Sequence, residues 1–357
     1  MIVKLKNKIA ATLCAITGCI VMDSCTPTIV DRDSLISIGE SDEQIEIKDY
    51  WSSATVIPLI EDTTDVLGEV SQIRYKNGKY FVLNSEGTII KQFDEAGQCL
   101  SIVNSQGYAH NEYISIGDFD VTDDSIYMCC YPNKILVADM SGKIKNVIDL
   151  DLELAGIACN DEYLYGYTQQ DRGLYVYDNG TWENIFAEGN LPACPHDMNV
   201  FYKTDDELFY FPEGGDKMYE IDGKDAKPLF TIDYPDKQKI NERLKENKRL
   251  KGLGIAQFAP LEVNSFVSTK DLYIMTYKYK AIARGCAIDK KDLLLKQDGW
   301  WYGFMPNPVA SSSDGCLASE FISRDDTPFD TTSIDVEYKS APNLDDGQLT
   351  IVKYLNK

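Results

Sequence analysis

The sequence predicts an all-β protein, a six-bladed β-propeller with four-stranded antiparallel blades closed by an N-terminal strand. Three observations carry that expectation. One turn–strand–strand unit recurs along most of the 357 residues. Its strands are short and apolar on both faces, and helical periodicity is nearly absent. A period of roughly 40–50 residues made of short strands is the mark of propeller blades, because a four-stranded sheet hides both its faces only when it stands between neighbours.

Residues 1–24 lie outside that pattern. Lys4, Lys6 and Lys8 precede an apolar run from Ile9 to Val21, too short to span a bilayer as a helix and suited to a signal-peptide core. The run ends in Met22-Asp23-Ser24-Cys25, which resembles a bacterial lipobox and marks Cys25 for lipidation. Residues 25–50 are mostly polar and acidic and read as a tether, leaving 51–357 for the propeller.

The repeat then unfolds in order. Asn77-Gly78 leads into Tyr80 to Leu83, and Ile89 to Asp94 turns through Gly97 into Cys99 to Val103. Equivalent units begin near Asp123, Asn160, Asp205 and Asp271, and the aspartates closing the second strand of each unit are 94, 139, 178, 222 and 289. The intervals are 45, 39, 44 and 67 residues. Tight turns of this kind use Asn, Asp and Gly because these residues tolerate positive φ. The final run from Leu349 to Tyr354 and the orphan run from Ala54 to Leu59 are expected to share one sheet, closing the ring. The longest interval contains an insertion, residues 235–252, in which Asp236 to Lys251 holds seven basic and three acidic residues and reads as a solvated helix.

The formal charge is −22. An acidic surface repels phosphate backbones, so nucleic acid is excluded as a partner and contact with a membrane is expected only through the anchor. Of 10 cysteines, seven follow Cys25, scattered and odd in number. That rules out a full disulfide framework, and the absence of a CxxC pair argues against a structural zinc site. No GxSxG elbow, HExxH or phosphate loop occurs, and no cofactor or metal is expected.

Two segments, Phe93 to Gln98 and Gly107 to Phe119, resemble the six-bladed β-propeller lipoproteins of Bacteroidetes, relatives in shape of the NHL and TolB-type propellers. In the second, Gly107, Glu112, Tyr113, Asp118 and Phe119 match that family's junction motif, while Ala109, His110 and Asn111 replace its second and third glycines and its proline. The resemblance covers roughly 54–357 and implies an envelope location, often beside outer-membrane nutrient uptake systems. It implies no established activity.

In such a fold the loops between blades share one face. Tyr108, His110, Asn111, Glu112 and Tyr113 lie at the first junction, His196 and Asp197 at the third, and Trp300, Trp301 and Tyr302 at the fifth. Aromatics beside amides and carboxylates suit a sugar ring or a peptide, so these ten are the candidate ligand-binding residues. His110, Glu112, His196 and Asp197 also have the chemistry of metal ligands, without a fixed-spacing motif behind them. The expected function is a noncatalytic, monomeric envelope module binding a glycan, a peptide or an envelope protein. The alternative is a hydrolase or lyase on an envelope or dietary polymer, with His196 and His110 carrying protons. Thr26 to Val30 lack an acidic export cluster, which favours the periplasmic side of the outer membrane over the cell surface.

Overall fold

The computed structural model describes residues 34–61, 65–171, 173–187, 199–205, 207–212, 214–239, 242, 261–279, 282–301, 310–312, 314–322, 334–339 and 348–357. Cys25, His196, Asp197, Tyr302, the side chain of Trp301 and most of the 235–252 insertion lie outside them; within the insertion, 237–239 and 242 are helical.

The chain begins with β1 (Leu35–Ser37), β2 (Gln44–Ile45) and the one-turn α1 (Ile47–Tyr50), then enters β3 (Trp51–Pro58). Three antiparallel sheets of four strands follow, in which sequence neighbours are space neighbours. They are β4 (Val70–Lys76), β5 (Lys79–Asn84), β6 (Ile90–Phe93) and β7 (Cys99–Val103); β8 (Ser115–Val121), β9 (Ser125–Tyr131), β10 (Lys134–Asp139) and β11 (Ile144–Asp149); and β12 (Gly156–Cys159), β13 (Leu164–Tyr167), β14 (Gly173–Asp178) and β15 (Thr181–Ala187). Next come β16 (Phe201–Thr204), β17 (Glu207–Tyr210), β18 (Lys217–Asp222) and β19 (Asp225–Asp233), with β1 added in parallel along β19. Then β20 (Leu261–Ser268), β21 (Leu272–Tyr279), β22 (Ile282–Asp289) and β23 (Leu295–Trp301) carry β2 in parallel on their outer edge. Last are β24 (Ala310–Ser312), β25 (Gly315–Ile322), β26 (Asp335–Tyr338) and β27 (Gln348–Asn356). β27 pairs antiparallel with both β25 and β3, and β26 lies parallel outside β3. The parallel pairing of Thr204 with Ser311 joins this group to the β16–β19 group, making one ten-stranded sheet. The protein is therefore all-β and propeller-like, with blades of four strands.

The alternation of side chains along each strand explains why the runs are apolar throughout. On β5, Phe81 and Leu83 pack against Phe119, Met128 and Leu136 of the next sheet. Tyr80 and Val82 point the other way, towards Ile57, Leu317 and Ile351. Each blade thus contributes to two cores, one per face. The same sharing recurs where Ile135 and Val137 meet Ile157 and Leu164, and where Tyr165 and Leu174 meet Leu208 and Tyr219.

The repeating aspartate builds a turn. Asp94 Oδ1 accepts from the N–H groups of Ala96 and Gln98, both at 2.9 Å, and Asp139 Oδ1 accepts from Ser141 and Lys143 at 2.9 and 3.1 Å. The following glycines do double duty. Gly97 and Gly142 sit at φ of 81° and 82°, and a Cβ on either would lie 2.2 Å from a carbonyl of the preceding sheet, Pro58 or Ile102. Only glycine meets both conditions.

Residues 34–50, which composition groups with the acidic tether, instead form a strap over two sheet edges. Ile36, Ile38 and Ile45 are buried, and Asp298 Oδ2 accepts from the N–H groups of Gly39 and Ser41 at 2.9 and 3.5 Å. Arg284 donates to the Ser41 carbonyl, and Trp300 Nε1 to the Asp42 carbonyl at 3.2 Å. The apolar alternation in Leu35-Ile36-Ser37-Ile38 outweighs the acidic average. Among the described residues no helix is long and apolar enough to cross a membrane.

Candidate functional site

The first strands of the sheets bring a charged cluster to their meeting point. Asp118 and Asp120 are two residues apart on β8, so both project to the same side of the strand. Across from them β12 turns the N–H groups of Ile157 and Cys159 away from its partner β13. Asp118 Oδ2 accepts from Ile157 and Asp120 Oδ2 from Cys159, each at 2.7 Å. Two side chains thereby replace a missing backbone ladder between separate sheets.

Two cations complete the cluster. Arg74 of β4 donates from Nη2 to Asp118 Oδ1 at 3.0 Å, and its guanidinium lies over the Phe119 ring. Lys203 of β16 donates to Asp120 Oδ2 at 3.1 Å and to the carbonyls of Val121 and Cys159 at 3.1 and 2.7 Å. Ser311 then donates to the Lys203 carbonyl at 2.8 Å, and Ser268 N to Thr204 Oγ1 at 3.2 Å, so β20 and β24 are drawn in as well.

Burial sets the electrostatics. It pushes the Asp118 carboxyl above its ordinary value, against the opposing pull of Arg74 and two backbone donors. Burial acts on Asp120 in the same sense, but Lys203 and Arg74 outweigh it and hold that carboxyl low. Burial also opposes the charge on Lys203, and Asp120 overrides it, raising the ammonium. Beside the cluster runs a cavity of about 60 Å³, lined by Arg74, Asp120, Asn199, Tyr202, Lys203 and Ser311 among others.

The first junction loop is a second feature, held from several sides. Gly107 N donates to the Tyr113 carbonyl, Tyr113 N to the Ser105 carbonyl and Glu112 N to the Ala109 carbonyl, at 2.9, 3.1 and 3.0 Å. Glu112 is half-buried and accepts from Ala109 N at 2.9 Å. The buried Lys134 donates to the carbonyl of His110 at 2.8 Å. Tyr113 is fully buried, its hydroxyl donating to the Thr88 carbonyl at 2.8 Å. It braces the loop and offers no face to a ligand, which corrects its place among the candidate binding residues. Tyr108 is the opposite case: it stands 93% exposed on this braced loop, near the exposed His110 and Asn111. His110 Nδ1 lies 3.9 Å from Asp149, both well exposed.

Trp300 faces the strap, donating from Nε1 to the Asp42 carbonyl at 3.2 Å. Among the described residues no group of three or more His, Cys, Asp or Glu side chains is placed to hold a metal ion. Five cysteines, 129, 130, 159, 286 and 316, are buried with free thiols, and burial pushes that of Cys130 up to about 12. Arg74, Asp120 and Lys203 are absent from the sequence-based candidates. The signal for them was Asp118-Phe119-Asp120, paired carboxylates inside a buried strand.

Replacing Lys203 with Met is expected to cost about 3–5 kcal/mol in urea denaturation, because it strands the Asp120 carboxylate. The two aspartates are expected to respond oppositely to pH. Folded Asp118 holds its proton more tightly than the unfolded chain does. The wild-type advantage over Asp118→Asn therefore falls as pH rises from the ordinary carboxylate value through the raised one. The advantage over Asp120→Asn is present above the ordinary value and is lost as pH falls through the depressed one.

The fold has counterparts among solved structures. A protein of Bacteroides fragilis described as exported superposes with a TM-score of 0.68 at 12% identity, covering 91% of this chain and 100% of its own. A member of the DUF4221 family from Bacteroides vulgatus gives 0.50 at 13% identity, covering 86% and 97%. At these identities the likeness is one of fold alone. No curated protein sequence matches the chain. The family model of a domain of unknown function, DUF4934, matches residues 34–298, from the strap to the aspartate that grips it. The chain belongs to the DUF4934 family.

Proposed function

We propose that this protein is a lipid-anchored cell-envelope module whose six-bladed propeller binds a glycan, a peptide or an envelope protein without transforming it. The observation that carries the binding reading is Tyr108, a large aromatic left 93% exposed on a loop braced by hydrogen bonds of Gly107, Glu112, Tyr113 and Lys134. A rigid aromatic loses little freedom when a ligand covers it, which is why such side chains anchor interfaces. Tyr131, 64% exposed, shares the same end of the blade through its carbonyl, which accepts from Ile114 N at 2.9 Å.

Six blades are supported by the order in which first strands approach one another: β4 with β8, then β12, β16, β20, β24 and back to β4. On this reading β3 completes the last blade beside β27. The envelope location rests on the charged and apolar pattern of residues 1–25 and on an exported neighbour of the same fold. The periplasmic face of the outer membrane is the side proposed, with the protein a monomer there.

Tyr108→Ala is expected to leave stability within about 0.5 kcal/mol of wild type. A photo-crosslinking phenylalanine derivative at position 108 is expected to give a discrete adduct in cells, absent when the probe sits at Glu183. Equal labelling from both positions, or none, contradicts the site. Cys25→Ala is expected to abolish labelling by a fatty-acid analogue and to move the protein from the membrane fraction to the soluble one. Unchanged labelling contradicts the anchor.

A further inference from the structure

The axial cavity holds an unfinished pair of polar groups. Asp120 is 2% exposed and lines the cavity; its Oδ1 has only the neighbouring Val121 N–H at hand and no well-aligned donor, while Oδ2 accepts from Cys159 N and Lys203 Nζ. Arg74 Nε lies 3.7 Å from Oδ1, too far for a hydrogen bond. A buried carboxylate oxygen without a well-placed donor is costly, the more so when charged, which favours an occupant that donates to it. Lys203 does not supply the donor, since its contacts go to Oδ2 and two carbonyls.

The chemistry of the gap narrows the occupant. A metal cation or an amine facing Oδ1 would stand beside the Arg74 guanidinium and be repelled. An anion would meet the carboxylates of Asp120 and Asp205, which with Arg74 and Lys203 on the same wall leave no net positive charge to hold it. What suits a donor and an acceptor 3.7 Å apart is one atom that is both, such as a hydroxyl oxygen receiving from Nε and donating to Oδ1. The rest of the wall fits a carbon skeleton bearing such a group. Phe201, Tyr202 and Phe266 offer ring surface, and Ala158 and Val267 offer aliphatic surface. At about 60 Å³ the space admits only a few heavy atoms, so a small polyol or one corner of a sugar ring is what it holds.

We propose that the axial cavity is a binding site for a neutral hydroxyl-bearing ligand, a polyol or monosaccharide, with Asp120 Oδ1 as acceptor and Arg74 Nε as donor. This site is separate from the Tyr108 loop and stands or falls independently of it.

The test uses the purified full chain with glycerol, D-glucose and D-galactose as probes, and N-methylacetamide as a probe that carries an amide in place of a hydroxyl. Binding is read by ligand-observed NMR. Saturable binding of at least one hydroxylated probe is expected. It should weaken roughly tenfold in Asp120→Asn, the loss of one hydrogen bond to a charged group. Because that variant disturbs the ion pair with Lys203, a second one leaves the network alone. Asn199 is exposed at the cavity wall, and Asn199→Trp should block entry while denaturing like wild type. Binding lost in Asn199→Trp supports the site. No saturable binding of any hydroxylated probe overturns it, since the gap then holds water alone. Binding that survives Asn199→Trp, or preference for the amide, overturns it as well.

Discussion

The arrangement depends on how β8 meets β12. Strands in separate sheets have no shared ladder. Here Asp118 and Asp120 reach across and take the Ile157 and Cys159 N–H groups at 2.7 Å. The carboxylates act as a substitute backbone. Their charge is answered from both sides, by Arg74 of β4 and Lys203 of β16, so four successive first strands share one buried cluster. Removing one partner from such a cluster leaves a charge with no water to turn to, which makes the cluster cooperative.

The outer regions follow a different logic. Each blade gives alternate side chains to two cores, as Tyr80 and Val82 against Phe81 and Leu83 illustrate. The edges that remain are partly covered by parallel additions: β1 on β19, β2 on β23 and β26 on β3. An unpaired edge is a template for aggregation, and covering it with the chain's own strap removes that hazard. Asp298 fixes the strap by binding its backbone rather than its side chains, so the strap's composition is free to be polar.

Much of this was legible in the residues. The Asp94 and Asp139 turns, the Gly97 and Gly142 positions and the two-sided apolar runs are local properties, set by backbone conformation and period. The pairing of the run near Ala54 with the C-terminal strand followed from the need to cover an edge, and β3 does lie against β27. The strap was hidden because net composition averages away the alternation of Ile36 and Ile38. The central cluster was hidden for a stronger reason: its members, Arg74, Asp118, Asp120 and Lys203, come from three different units, and no local pattern links them. Tyr113 was misread because an aromatic at a junction is equally suited to brace a loop or to meet a ligand, and only its burial distinguishes the two.

The claim that side-chain carboxylates serve as the ladder between β8 and β12 has a direct measurement. Amide hydrogen exchange of Ile157 and Cys159, resolved by NMR, is expected to be as slow as exchange at Phe81 or Met128 in the cores, governed by global unfolding. Exchange of these two amides orders of magnitude faster than the core, in a protein that is otherwise folded, would contradict it.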